Sequence, residues 1–271
     1  VYSGSTLTKY SGRIVGAHQK FDSVSRRHLA KIILNKGAFP KIRSILAFEG
    51  KNGPDGIKRK SPAKDEPWHW FNPFDDNDLE IVEQIDDHFK QLALQLKKGN
   101  VERSSFEAAW LAHAVVDGLT PAHHYPYEEE LTALRGEPLA TRNSVKAKLV
   151  IPGDTKKEVL KNNWKMWGPK GLMSTHGLFE LGVASIIKPL TFSEAVPTDS
   201  EISEAIKIGH NELFVRAARE IAVLDMYENY IKKGWTPKLA WQVRHKLGPI
   251  IVRTVTLTWY LAMIEAGLED K

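Results

Sequence analysis

The chain has 271 residues, 42% hydrophobic and 26% charged, with 38 basic against 33 acidic side chains and no cysteine. That length supports one large domain with a sizeable core, and the composition excludes a disordered, collagenous or disulfide-stapled chain. The missing cysteine excludes thiolate nucleophiles, iron–sulfur clusters and zinc ribbons, so a metal site must be built from His, Asp, Glu and backbone groups. The net charge of +5 is scattered among acids rather than clustered, which argues against specific duplex DNA binding.

In chain order, Gly16-Ala-His18 stands at the head of the first helical segment, and apolar spacing predicts that helix over 25–36. By itself His18 reads as a surface residue. Residues 49–74, rich in Gly, Pro, Lys and aromatics, form a loop too long for a simple connector. Within it Gly53-Pro-Asp55-Gly56 reads as a turn. Helical spacing then predicts 78–98 and 101–118, separated by Gly99-Asn100. Residues 125–170 carry repeated Pro and Gly and read as an elaborated insertion, with 146–151 the one short β-like stretch. Helices follow over 172–187, 199–233 and 238–268. Pro197-Thr198-Asp199-Ser200 opens the second of these, Gly234 closes it and Thr236-Pro237 starts the third.

Pro249 should kink or split the last segment. No run reaches the roughly eighteen uninterrupted apolar residues of a membrane span; the nearest, 249–266, contains Arg253 and Glu265 and reads as a core helix. The expected architecture is an all-α, single-domain multi-helix bundle over 1–271, with 188–271 as C-terminal scaffold helices. No role is assigned to His210 or His245 there.

The histidines stand in a pattern. His113 and Asp117 lie four apart at the end of an apolar helix, so both project from one face and can share an ion. Gly118 and Pro121 then turn the chain and return His123 beside them. A helix terminus that merely favours histidine through its macrodipole explains one such residue. It does not explain the second pair, His176 and Glu180, also four apart on an apolar helix. Glu180 is costly to bury among Leu178, Phe179 and Leu181 without a positive partner. Nitrogen and oxygen ligands suit zinc, with other divalent ions open. His69 stands between Trp68 and Trp70 in the long loop, where it also fits an aromatic core plug.

Together these residues resemble the zinc-dependent phospholipase C family, whose relatives include the single-strand-specific zinc nucleases of fungi and plants. The family motif His-x3-Asp-x3-Pro-x-His is met by His113, Asp117, Pro121 and His123, and its downstream His-x3-Glu by His176 and Glu180. Its upstream Asp is met by Asp55, its His among aromatics before Pro by His69 and Pro73, and its early His by His18. The resemblance spans residues 18–180 and implies up to three zinc ions. His69, His113 and Asp117 would hold the first, and His123, His176 and Glu180 the second. His18 with the amine and carbonyl of Val1 would hold the third, Asp117 bridging to the first. Asp55 would orient or deprotonate the attacking water. The sequence departs from the family in Val1 where Trp is usual, in Thr120 where Gln is usual, and in the long interval between His123 and His176. Spacing favours His123 over His124, which would sit behind it.

The resemblance implies a phosphoric ester hydrolase whose nucleophile is a hydroxide between ions. One reading is a phospholipase C-like phosphodiesterase acting on phospholipid, with Trp68, Trp70, Trp164 and Trp167 in peripheral membrane contact. Glu180 rather than Asp at the last ligand leans that way. A single-strand nuclease or nucleotidase would use the same zinc core and stack bases on the same aromatics. A non-catalytic zinc-binding homologue is the third reading. A processed Val1 terminus carries the expectation of a secreted or cell-surface protein.

Overall fold

A computed structural model describes residues 16–66 and 68–269. Among them there is no β-strand, and the all-α expectation holds. The centre of the molecule is a helical run from Pro237 to Glu265. It consists of α12 (Pro237–Gln242), a π-helical turn over Val243–Leu247 and α13 (Gly248–Glu265). The π turn answers the proline. Pro249 has no N–H to offer the preceding turn, and the widened ring ahead of it lets Pro249 serve as a first-turn residue of α13. The run is apolar enough to cross a bilayer by length and composition alone, yet 89% of its most apolar stretch is buried within the protein. Trp259 is fully buried and its indole N–H donates to the Ala108 carbonyl at 3.1 Å, which tethers α13 to α5 (Val101–Gly118). Thr254 and Thr256 return their hydroxyls to carbonyls one turn back, so polar atoms enter the core satisfied.

Four helices pack on α13: α1 (Ala17–Ile32), α4 (Glu80–Lys97), α5 and α10 (Asp199–Ala222). Helices α4 and α5 form an antiparallel hairpin across Gly99, whose left-handed φ of 66° ends one helix while Asn100 caps the next through the Arg103 amide. Helix α1 begins upstream of its predicted start. The spacing of Ala17, Phe21 and Val24 continues the buried stripe backwards, and this turns His18 inward to full burial instead of leaving it at the surface. The predicted segment 199–233 is two elements, α10 and α11 (Met226–Lys233), and α10 itself breaks at Gly209 (φ 79°, ψ 169°), a conformation that costs glycine no strain. A Thr198–Glu201 capping box opens α10, where the sequence places a helix start.

The two irregular stretches are more helical than expected. Helix α2 (Ile42–Leu46) precedes the long loop and α3 (Pro54–Lys58) lies within it, so Gly53-Pro-Asp55-Gly56 is a helix start with proline in its first turn and not a free turn. The insertion comprises α6 (Tyr127–Arg135), α7 (Val145–Leu149) and α8 (Lys156–Trp167). The β-like stretch 146–151 is thereby corrected to helix followed by extended chain. Ser144 caps α7 through the Ala147 amide, and no neighbouring strand exists there to pair with. Helix α9 (Leu172–Ile187) follows the insertion and packs against α1 and α8.

Candidate metal centre

The site forms where α1, α3, α5 and α9 converge at the C-terminal end of α5. Small residues Ala108, Ala109, Ala112 and Ala114 let the neighbours of α5 approach closely, and His113 and Asp117, one turn apart, are almost wholly buried. Among the described residues two groups of ligand-type side chains result, each with donor atoms within 4.8 Å of one another: His18, His113 and Asp117, and His123, His176 and Glu180.

In the first group Asp117 is the hub. Its Oδ1 lies 3.3 Å from His18 Nε2, and its Oδ2 lies 3.4 Å from His113 Nε2. The His18 and His113 rings stack at 3.8 Å, nearly parallel. His113 Nδ1 faces the Glu49 carboxylate at 3.3 Å, which fixes the proton there and leaves Nε2 aimed at the centre. In the second group His123 Nδ1 donates to the Asp117 carbonyl at 2.9 Å, which frees Nε2 to point at Glu180 Oε1, 3.1 Å away. His176 Nε2 reaches the same oxygen at 3.1 Å, and its ring stacks with that of His123 at 5.2 Å.

These groups suit a divalent ion. His18 Nε2 and His113 Nε2 make no hydrogen bond although both are buried. Their separations from Asp117 exceed a good hydrogen bond, yet they match the spacing of about 3.3–3.4 Å between ligand atoms set ~2.0–2.1 Å from one tetrahedral ion. Electrostatics also leave the ligands ready. Burial draws His123 down to about 4, so its imidazole is neutral at ordinary pH. The Glu180 carboxyl lies well below its usual range against the opposing effect of burial, and the neighbouring His176 and His123 contribute to this. His113 is the exception: burial favours its neutral form, but Glu49 and Asp117 raise its pKa well above normal.

The remaining predicted residues surround this pair. Asp55 projects from α3 with Oδ1 3.6 Å from His113 Nε2 and 3.7 Å from Lys58 Nζ. Although burial alone would raise it, His113 and Lys58 hold Asp55 far below the usual carboxylate range. A close approach of backbones fixes its position: a Cβ on Gly56 would stand 2.1 Å from the Lys51 carbonyl oxygen. His69 lies beside the second group, its ring centroid 5.0 Å from that of His123 and 4.6 Å from that of Trp70. The grouping thus differs from the one the resemblance implies, since His18, and not His69, gathers with His113 and Asp117. The expected ligand Val1 lies outside the described residues. His124 turns away, its Nε2 2.8 Å from the Gly118 carbonyl. Trp68 packs against the core, and Trp70 stacks on Tyr127 at 4.5 Å and meets the His123 and His176 rings in T-shaped contacts.

Three contributors escaped the sequence reading. Lys58 places Nζ 2.9 Å from Asp117 Oδ2 and so supplies a cation between two carboxylates. In the sequence it belongs to the Lys58-Arg59-Lys60 run, which resembles a solvated surface. Glu49 stands behind His113 and also accepts from the Gly50 amide at 3.3 Å. Asp22, one turn beyond His18, is fully buried without a hydrogen bond; burial and the nearby Glu49 push its carboxyl well above normal, towards the protonated form. Only the four-residue spacing of His18 and Asp22 offered a signal for it.

A cavity of about 400 Å³ opens beside His69, Trp70 and Lys58. Its opposite wall comes from the insertion, through Tyr127, Leu131, Arg142 and Met166. Much of its charge is paired internally: Arg142 grips Glu128, and Lys148 meets Glu66. No protein-family model, curated protein or solved structure matches this chain.

Proposed function

We propose that this chain is a zinc-dependent phosphoric ester hydrolase of the phospholipase C kind. The observation that carries the reading is the junction at Asp117. Its carboxylate belongs to one metal-ligating group and its carbonyl orients His123 of the other, so two cations would be held side by side on one helix end. His18, His113 and Asp117 would hold one ion, and His123, His176 and Glu180 another, with His69 near the second. Such ions supply Lewis acidity to a phosphate ester and acidify water for attack.

The chain's own groups divide the rest of the work. Asp55 is held ionised, so it is suited to accept a hydrogen bond from the attacking water and aim it. Lys58 supplies a fixed positive charge that can meet a non-bridging phosphate oxygen. The cavity beyond Trp70 takes the organic part of the ester. Tyr127 covers one face of Trp70 and the tilted His69 ring lies close to it, which leaves a poor platform for stacking a base and favours a lipid-like group.

The test offers zinc-loaded protein a short-chain phosphatidylcholine, single-stranded DNA and a mononucleotide. Release of phosphocholine alone is expected. DNA cleavage would transfer the reading to the nuclease branch, and inertness towards all three at full zinc occupancy would leave a non-catalytic zinc protein. Lys58→Met should lower turnover while metal content is kept or increased, because a competing cation is removed from Asp117.

A further inference from the structure

Helix α8 bears two apolar stripes where a surface helix requires one. Met166 faces inward and is buried in a small cluster with Tyr127, Leu131 and Ile151. Leu160, Trp164 and Trp167 follow one another at spacings of four and three, so they share a second face. That face looks outward: the three side chains are 72%, 66% and 42% exposed. At about 100° per residue their stripe lies roughly a third of a turn from the buried one. Among the described residues the stripe stays largely open: Gly168 lies against the Trp164 ring and Trp167 bonds the Leu149 carbonyl, while Leu160 faces outward.

The surroundings identify the occupant. Lys156, Lys157, Lys161 and Lys165 are exposed along the borders of the stripe, against Glu158 as the sole acid of the helix. The patch extends to Leu149 and Val150, 43% and 41% exposed, because the Trp167 indole N–H donates to the Leu149 carbonyl at 2.8 Å. An apolar stripe of Leu and Trp with Lys157 and Lys161 along one border and Lys156 on the other is the pattern of a helix that lies in the interface of an anionic membrane. A second copy of the chain would bring the same lysines face to face, which like-charge repulsion disfavours.

We propose that the outer face of α8 is a docking surface for an anionic lipid bilayer. Leu160, Trp164 and Trp167 enter the boundary between headgroups and acyl chains, and the lysines meet lipid phosphates. The cavity beside the metal groups is lined by Lys148, Met166 and Trp167, so a docked bilayer stands at its mouth. Docking does not depend on the hydrolysis proposed above.

The experiment is flotation with vesicles of phosphatidylcholine alone and of phosphatidylcholine mixed with phosphatidylserine. The wild-type protein, Leu160→Ser/Trp164→Ser and Lys157→Glu/Lys161→Glu are compared, with circular dichroism to verify the fold. Wild type should float with the serine-containing vesicles and release as salt rises. The serine variant should lose at least about tenfold in partitioning. The glutamate variant should lose about 25-fold or more, from about fivefold per lysine. Flotation that is absent in wild type or unchanged in either folded variant overturns the proposal. So does a concentration-dependent dimer that the serine variant abolishes, which would make a second copy the occupant. Hydrolysis of a soluble ester by protein that ignores vesicles would refute docking alone, and vesicle binding without hydrolysis would refute the function alone.

Discussion

Glu49→Gln separates the metal centre from ordinary core packing. Glu49 is buried, and its oxygens lie 3.3 and 3.4 Å from His113 Nδ1. The amide keeps the shape and an acceptor but removes the charge that strengthens this contact. Loss of such a supporting partner lowers metal affinity by about 10–100-fold, which corresponds to about 1.4–2.7 kcal/mol. Under saturating metal the same amount disappears from metal-dependent stability, or roughly 3–5 °C in melting temperature for a domain near this size. The metal-free protein should respond differently. There Glu49 both pushes the buried Asp22 carboxyl upward and favours charged His113, so neutralising residue 49 relieves the first and loses the second, and the two oppose each other. Zinc competition against a chromophoric chelator, with melting curves with and without zinc, reads both effects. Affinity should fall, and the zinc-loaded melting temperature should drop by more than the metal-free one. Unchanged affinity, or an equal loss of stability in both states, would refute the reasoning.

Glu180→Gln should halve bound metal by elemental analysis, since His123 and His176 lose their shared carboxylate while the His18 group stays intact; full stoichiometry would show the second group is not a metal site. Gly56→Ala forces α3 away from the Lys51 carbonyl and should displace Asp55, so turnover falls by an order of magnitude or more with metal content preserved; an unchanged rate would dismiss Asp55. Burial lowers the pKa of His210, whose Nε2 lies 3.1 Å from Asp86. Protonation therefore favours the unfolded chain: the stability from this group is full above about pH 6.5 and drains as pH falls below it. Urea midpoints should drop between about pH 7.5 and about pH 5.5, and less in His210→Phe; an identical drop in both proteins would contradict this.

Much of the helical frame was legible in local chemistry. Asn100, Thr198 and Thr236 cap helices through their own neighbours, and the buried stripes of α4, α5 and α9 recur at helical spacing, so these elements are written within a few residues of themselves. His113 with Asp117 and His176 with Glu180 were legible for the same reason, because four residues on a helix is a distance in space. Gly209 and the short helices α3 and α7 escaped that reading. A break in α10 and two five-residue helices depend on single residues and caps that periodicity over a longer window averages away.

Other features are set by which helices meet. His18 is a ligand-type residue because α1 packs its first turn onto α5, and Lys58 reaches Asp117 across 59 positions of sequence. Glu49 supports His113 over 64 positions. No window of sequence contains such pairs, and in isolation each looks like a surface charge. The outer stripe of α8 lies at the opposite limit: its spacing is plain in the sequence, but only packing decides which of two apolar stripes is buried. Local sequence specifies the helices and the residues that share a face. The sites arise from contacts between faces, where burial removes water and gives each charge a partner that sequence spacing does not record.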